Sequence, residues 1–174
     1  TVGGRLGPGV GAKDLALAII ARIGADGARG HVVEYAGSAV RGLTMEGRLT
    51  LCNLSIECGA RSGLVAPDAT TMRFLQGRDF APAGAAFDRA AADWLALATD
   101  DDAVFDAEIA MAAGDVAPTV TWGTSPEDAL PVTGAVPCPE AGGRGARDEH
   151  IRAALDYMGL TPGMRLTRFV IDRV

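Results

Sequence analysis

The stretch 43–59 constrains this chain most. Thr44 offers a hydroxyl cap, and the spacing predicts one helix running from there to Gly59. On a wheel of about 100° per residue, Glu46, Asn53 and Glu57 fall within about 40° of one another, with Thr50 beside them. Leu49, Cys52 and Ile56 occupy another face, widened by Leu51 and Leu54. A largely apolar helix thus carries one narrow polar stripe. The stripe has two readings. It is the solvent face of a packed helix, or it lines a polar cavity. In the second case a carboxylate there can hold a histidine or move a proton, and an amide can bond a ligand or cluster.

Around this helix the pattern alternates between elements. Residues 14–23 read as a helix, with Leu15, Ile19 and Ile23 at four-residue spacing. A glycine-rich loop at 3–11 precedes it and a break at 24–30 follows. Residues 31–37 read as a strand and 63–67 as a short buried strand. A loop at 79–84 leads to a helix at 87–98, with Ala91, Trp94 and Leu95 on one face. In 103–111, Phe105, Ala107, Ile109 and Met111 point one way and Val104, Asp106 and Glu108 the other, the pattern of a half-buried strand. Residues 119–122 read as a strand entering a turn at 123–126, and 131–145 as a surface loop. A helix at 147–158 closes at Gly159, and 168–174 reads as a final strand. The fold expected is α/β: one sheet, built from these strands, with helices on both faces. The 174 residues suit a single domain. Both ends look cut, so the chain reads as one α/β segment, 1–174, of a longer protein.

Composition excludes several functions. At 48% hydrophobic and 22% charged the chain is an ordinary globular one. A net charge of −6, with a single lysine, Lys13, argues against a nucleic-acid surface. No apolar run approaches the roughly 20 residues that span a bilayer, and no signal peptide opens the chain. Cys52, Cys58 and Cys138 are too few and scattered for a disulfide scaffold, so a cytoplasmic location fits.

Other motifs carry less. Residues 7–14 suggest a phosphate loop, but Ala12 precedes Lys13 and Asp14 follows it, which breaks the Walker pattern; a loop capping a helix remains. Cys52 and Cys58 on one helix diverge by about 120°, so they do not readily share a metal. His31 and His150 have no nucleophile at motif spacing and read as structural or solvated. The turn Trp122-Gly123-Thr124-Ser125-Pro126-Glu127 follows a strand, where ligands of open α/β folds gather, though it also reads as a plain proline turn.

Three stretches, His31-Val32-Val33-Glu34-Tyr35-Ala36-Gly37, Leu43 through Ala60, and Gly63-Leu64-Val65-Ala66-Pro67-Asp68, together resemble the aconitase superfamily. Val120 through Pro126 and Tyr157-Met158-Gly159-Leu160 resemble its isopropylmalate dehydratase branch, in the bacterial large subunit. The resemblance implies a three-layer α/β/α sandwich with a mixed sheet. It implies a hydro-lyase that interconverts 2- and 3-isopropylmalate by dehydration and rehydration in leucine biosynthesis. Homoaconitase, a methyl-malate dehydratase, or a non-catalytic domain that kept the fold are the alternatives. The family holds a 4Fe–4S cluster on three cysteines, none of which matches Cys52, Cys58 or Cys138; no metal or cofactor ligand is therefore expected in this segment. Asn53 and Glu57 match the amide and carboxylate that lie beside the cluster, the carboxylate pairing with an active-site histidine. The partners implied are a small subunit and a small 2-hydroxy diacid, with no nucleic acid and no membrane.

Overall fold

Helix α1 (Ala12–Ile23) organises the main core. Its start is held by Asp14, whose carboxylate accepts from the Gly11 N–H at 2.8 Å; Gly24, at φ 86°, ends it. Leu15 is fully buried against Val40, Leu51 and Tyr35. Burying a leucine in this way contributes about 1.5–3 kcal/mol. The structure, a computed structural model, describes residues 1–140 and 145–170. The remaining elements are β1 (Val2–Gly3), β2 (Val32–Glu34), α2 (Ser38–Arg41), α3 (Met45–Leu54), β3 (Ser62–Leu64), α4 (Ala69–Leu75), α5 (Ala85–Leu95), β4 (Met111–Ala112), β5 (Thr119–Thr121), β6 (Ala129–Pro131) and α6 (Ala146–Met158). No helix among the described residues is long and apolar enough to cross a membrane.

The α/β class is as expected, with both parallel and antiparallel pairs. The single sheet is not. Among the described residues the strands form three separate two-stranded ladders: β1 with β4, β2 with β3, and β5 with β6. The stretch 103–110 is exposed and unpaired as a strand; only Met111–Ala112 joins a ladder. The expected strand at 63–67 is shorter, and Leu64 is exposed. Leu166–Arg168 forms a 3-10 turn and 169–170 form no strand; the rest of the expected strand at 168–174 lies outside the described residues.

Helix α3 begins where expected: Thr44 Oγ1 accepts from the Gly47 N–H at 3.3 Å. It does not run to Gly59. After Leu54 the chain tightens into a 3-10 turn, Ser55–Cys58, and Gly59 adopts a left-handed φ of 81°. Packing explains the change. Ser55 Oγ donates to Leu51 O at 3.0 Å, so the Tyr35 hydroxyl, 2.8 Å away, donates to Ser55. Gly63 of β3 lies so close to Ser55 and to the Cys52 backbone that a Cβ there would collide. The expected apolar face is also displaced. Leu49 and Ile56 are exposed, whereas Arg48, Leu51, Ser55 and Cys58 are buried.

Two short helices escaped the pattern reading. Helix α4 starts at Asp68, whose carboxylate accepts from the Thr70 and Thr71 N–H groups. Helix α2 is a single turn. A second core joins Trp122 and Val136 to Ile151, Ala154 and Leu155 of α6. That helix closes at Gly159 as expected, with the Leu160 N–H donating to Leu155 O at 2.9 Å.

Candidate functional site

The two stretches that carry most of the motif meet across α1. The last residue of α3 contributes Leu54 and the 3-10 turn after it Glu57; β5 and the turn after it contribute Thr119, Thr121, Thr124 and Ser125; Lys13 and Asp14 come from the first turn of α1. Together they line an open groove of about 640 Å³. Asp14 is the fastener. While one carboxylate oxygen holds Gly11, the other accepts from the Thr119 N–H at 2.7 Å, pinning β5 to α1.

The turn that follows β5 is fixed from beneath. Asp128 is buried, and its carboxylate accepts from the Ser125 N–H at 3.1 Å. The same carboxylate holds His150 Nε2 of α6 at 2.8 Å. Trp122 N–H donates to the Asp128 carbonyl at 3.1 Å. Glu127 reaches the other way and accepts from the Ala25 N–H at 2.9 Å, beyond the end of α1. His150, Asp128 and Glu127 are thereby committed to holding the turn, which agrees with a structural histidine. His31 is likewise local, with Nδ1 donating to Arg29 O at 2.9 Å.

Glu57 and Asn53 do not share a lining. Both are exposed, and only Glu57 borders the groove. The 3-10 turn is the reason. At about 120° per residue through 55–57, Glu57 rotates to about 100° from Asn53 instead of 40°, and it eclipses Leu54, three residues back. Leu54 and Glu57 are the pair that reaches the groove. Thr50 turns inward on its own helix, donating to Glu46 O at 2.8 Å. The carboxyl of Glu46, exposed, is held below the usual range by its own backbone N–H and by Thr44.

Two buried ionisable residues escape the pattern reading, Asp128 and Arg48. Arg48 is 2% exposed, and its guanidinium forms a two-pronged pair with Asp68, at 2.8 and 2.7 Å. It also donates to Arg41 O at 2.9 Å, so it ties α2, α3 and the start of α4 together. Its Nε has no partner. The signal was available in the spacing: Arg48, Leu51, Ser55 and Cys58 lie on one side, but a hydropathy wheel assigns arginine to solvent.

The cysteines do not fit a cluster. Cys58 is buried beside Ile20, Ala28 and Ala60, with Sγ donating to Ser55 O at 3.0 Å. Cys52 is half-buried, and Cys138 is exposed near Gly163. Burial pushes the thiols of Cys52 and Cys58 above their ordinary range, away from the thiolate that iron requires. Among the described residues, no three of His, Cys, Asp and Glu gather where they could hold a metal ion. The groove therefore offers a carboxylate, an ammonium and hydroxyls, which suit binding and proton handling. The aconitase family (aconitate hydratase) matches residues 1–174, so the chain belongs to that family of iron–sulfur hydro-lyases.

Proposed function

We propose that this chain is part of the large subunit of a 3-isopropylmalate dehydratase, which interconverts 2- and 3-isopropylmalate in leucine biosynthesis. One observation supports the reading above the others. The groove joins Glu57 to Thr124 and Ser125, so a stretch that resembles the superfamily and one that resembles this branch border one space although they lie far apart in sequence. Lys13, the single lysine, stands at the same groove and suits a dianionic 2-hydroxy diacid.

In this reading Glu57 is the carboxylate that stabilises a protonated histidine contributed by chain beyond these residues. Asn53 lies one turn before it and supplies a second polar contact on a neighbouring face. The 4Fe–4S cluster is held by cysteines beyond this chain, the small subunit completes the site, and the enzyme works in the cytoplasm. The residues described here bind and orient the substrate and hold the proton. Thr124 and Ser125 border the site as hydroxyl donors on a turn that Asp128 keeps rigid.

The test is steady-state kinetics on the two-subunit enzyme. Glu57→Gln should keep the fold and the cluster content and lower kcat roughly a hundredfold or more, the scale of acid–base effects. Near-normal turnover at equal cluster content would leave Glu57 as a solvated side chain. Running the same assay with homoaconitate and methyl-substituted malates separates the alternative substrates. No turnover of any of these acids by the intact, cluster-loaded protein would favour a non-catalytic domain.

A further inference from the structure

The most regular alternation in the chain, 103–111, pairs only at its end, through Ile109 and Met111; the rest lies beside a gap, and the backbone bonds around the gap say what fits there. Strand β1 sits at its mouth between two extended segments. On one side the Thr1 nitrogen donates to Ile109 O at 2.6 Å and the Met111 N–H donates to Thr1 O at 3.0 Å. On the other side the Val2 N–H donates to Ala36 O at 2.8 Å. Gly37, at φ 105°, has no room for a Cβ against the Val2 backbone. Thr1 and Val2 thus bond in opposite directions, as successive residues of a central strand do.

The two walls beyond β1 are matching edges. β2 meets β3 through odd-numbered residues: the Arg61 N–H donates to His31 O and the Tyr35 N–H to Leu64 O, each at 2.8 Å. In a parallel ladder alternate residues face opposite edges. The backbone groups of Val32 and Glu34 therefore face the edge where Ala36 meets Val2. By the same parity, Phe105 and Ala107 face the edge where Ile109 and Met111 meet Thr1. The space between these edges is a cavity of about 270 Å³ with Ile19 and Ile23 among its lining residues. Val32, Val104, Phe105 and Ile109 are left exposed around it.

We propose that this gap is a strand-acceptor slot whose occupant is an extended segment joined in line to the amino end of Thr1 and parallel to both walls. The direction follows from the β1–β4 register. Val2 lies opposite Met111 and Gly3 opposite Ala112, so the residue before Thr1 falls opposite Ile109. The chemistry follows from burial. Val2 is 4% exposed and Thr1 is exposed, so the residue before Thr1 shares the buried face and is apolar, with polar and apolar residues alternating before it. At about 3.3 Å per residue, the span back to Val104 takes about six residues. Once filled, the slot makes one parallel sheet in the order β3, β2, β1, β4. The inference is independent of the functional reading.

The experiment compares the chain as it stands with one carrying a six-residue Val/Thr alternation before Thr1, apolar residue last, and with a control that has proline at every second position of the extension. Amide hydrogen exchange is read residue by residue. The added strand should slow Glu34, Ala36, Ala107 and Ile109 by about tenfold or more, leaving Asp106 and Glu108 fast because they face away. Equal rates with the proline control would overturn the proposal. If that control does not fold, the extended protein alone decides: equal rates at 106, 107, 108 and 109 would mean no strand has paired. Protection of Glu34 and Ala107 in the unextended chain that rises with protein concentration would give the slot to a second copy and also overturn the proposal.

Discussion

Between Thr44 and Asp68 the chain buries an arginine, a serine and a cysteine, while between Asp100 and Ala110 it leaves Val104, Phe105 and Ile109 in solvent. Hydropathy predicts the reverse for all of these but the cysteine. The difference lies in partners. Arg48 finds Asp68 and the Arg41 carbonyl, Ser55 finds Tyr35 and Leu51, and Cys58 finds the Ser55 carbonyl. Apart from Arg48 Nε, these buried polar groups are met within hydrogen-bond distance, which removes most of the penalty of leaving water. The apolar residues of 103–108 have the right alternation but no neighbouring strand edge, and a strand without an edge is not a strand.

Substitutions can break this contrast, and the largest effect is expected at Arg48. Arg48→Ala leaves the Asp68 carboxylate without its guanidinium and should remove about 3–5 kcal/mol of stability in urea titration. A loss below about 1 kcal/mol would show that water or the Thr70 and Thr71 amides replace it. Acid should sharpen the same contrast. The Arg48 guanidinium, and then the Thr70 and Thr71 N–H groups, hold the Asp68 carboxyl below the usual range, against burial, which raises it. A depressed folded pKa contributes stability that is fully present above the unfolded value, about 4, and is lost as pH falls through the folded value. Stability should therefore drop below about pH 4, and Asp68→Asn should flatten that part of the profile. A profile identical in the variant would mean other carboxylates carry the acid transition.

Smaller effects follow at the two margins of the comparison. Thr44→Ala removes the cap of α3 and should cost about 1 kcal/mol, read as a lower Tm. Val104→Ser, on a side chain already in solvent, should change stability by no more than about 0.5 kcal/mol. A large loss there would mean that the stretch is buried in solution and that its strand edge is already occupied.

Local chemistry explains which elements were legible. The start of α3 followed from Thr44, the end of α6 from Gly159, and the face of α1 from Leu15 and Ile19; each signal acts within one or two turns. Helix α4 was missed although Asp68 is a strong cap, because Pro67 and the preceding apolar run read as a strand ending. The groove was half legible. Glu57 and the Thr124–Ser125 turn were each singled out, but nothing in their spacing says that α1 brings them together through Asp14 and Thr119.

Sequence alone determined the α/β class, the positions of the main helices and the membership of the family that residues 1–174 match. Those rest on periodicity, caps and residue types, which are properties of neighbours in the chain. Only the tertiary structure decided the 3-10 turn at Ser55–Cys58, and with it the separation of Glu57 from Asn53. That turn depends on Tyr35 and Gly63 pressing on Ser55 from other elements. Strand pairing was decided at the same level. Alternation makes a segment able to be a strand, but the ladder needs a second backbone at hydrogen-bond distance, and the position of that backbone is not written in the segment itself.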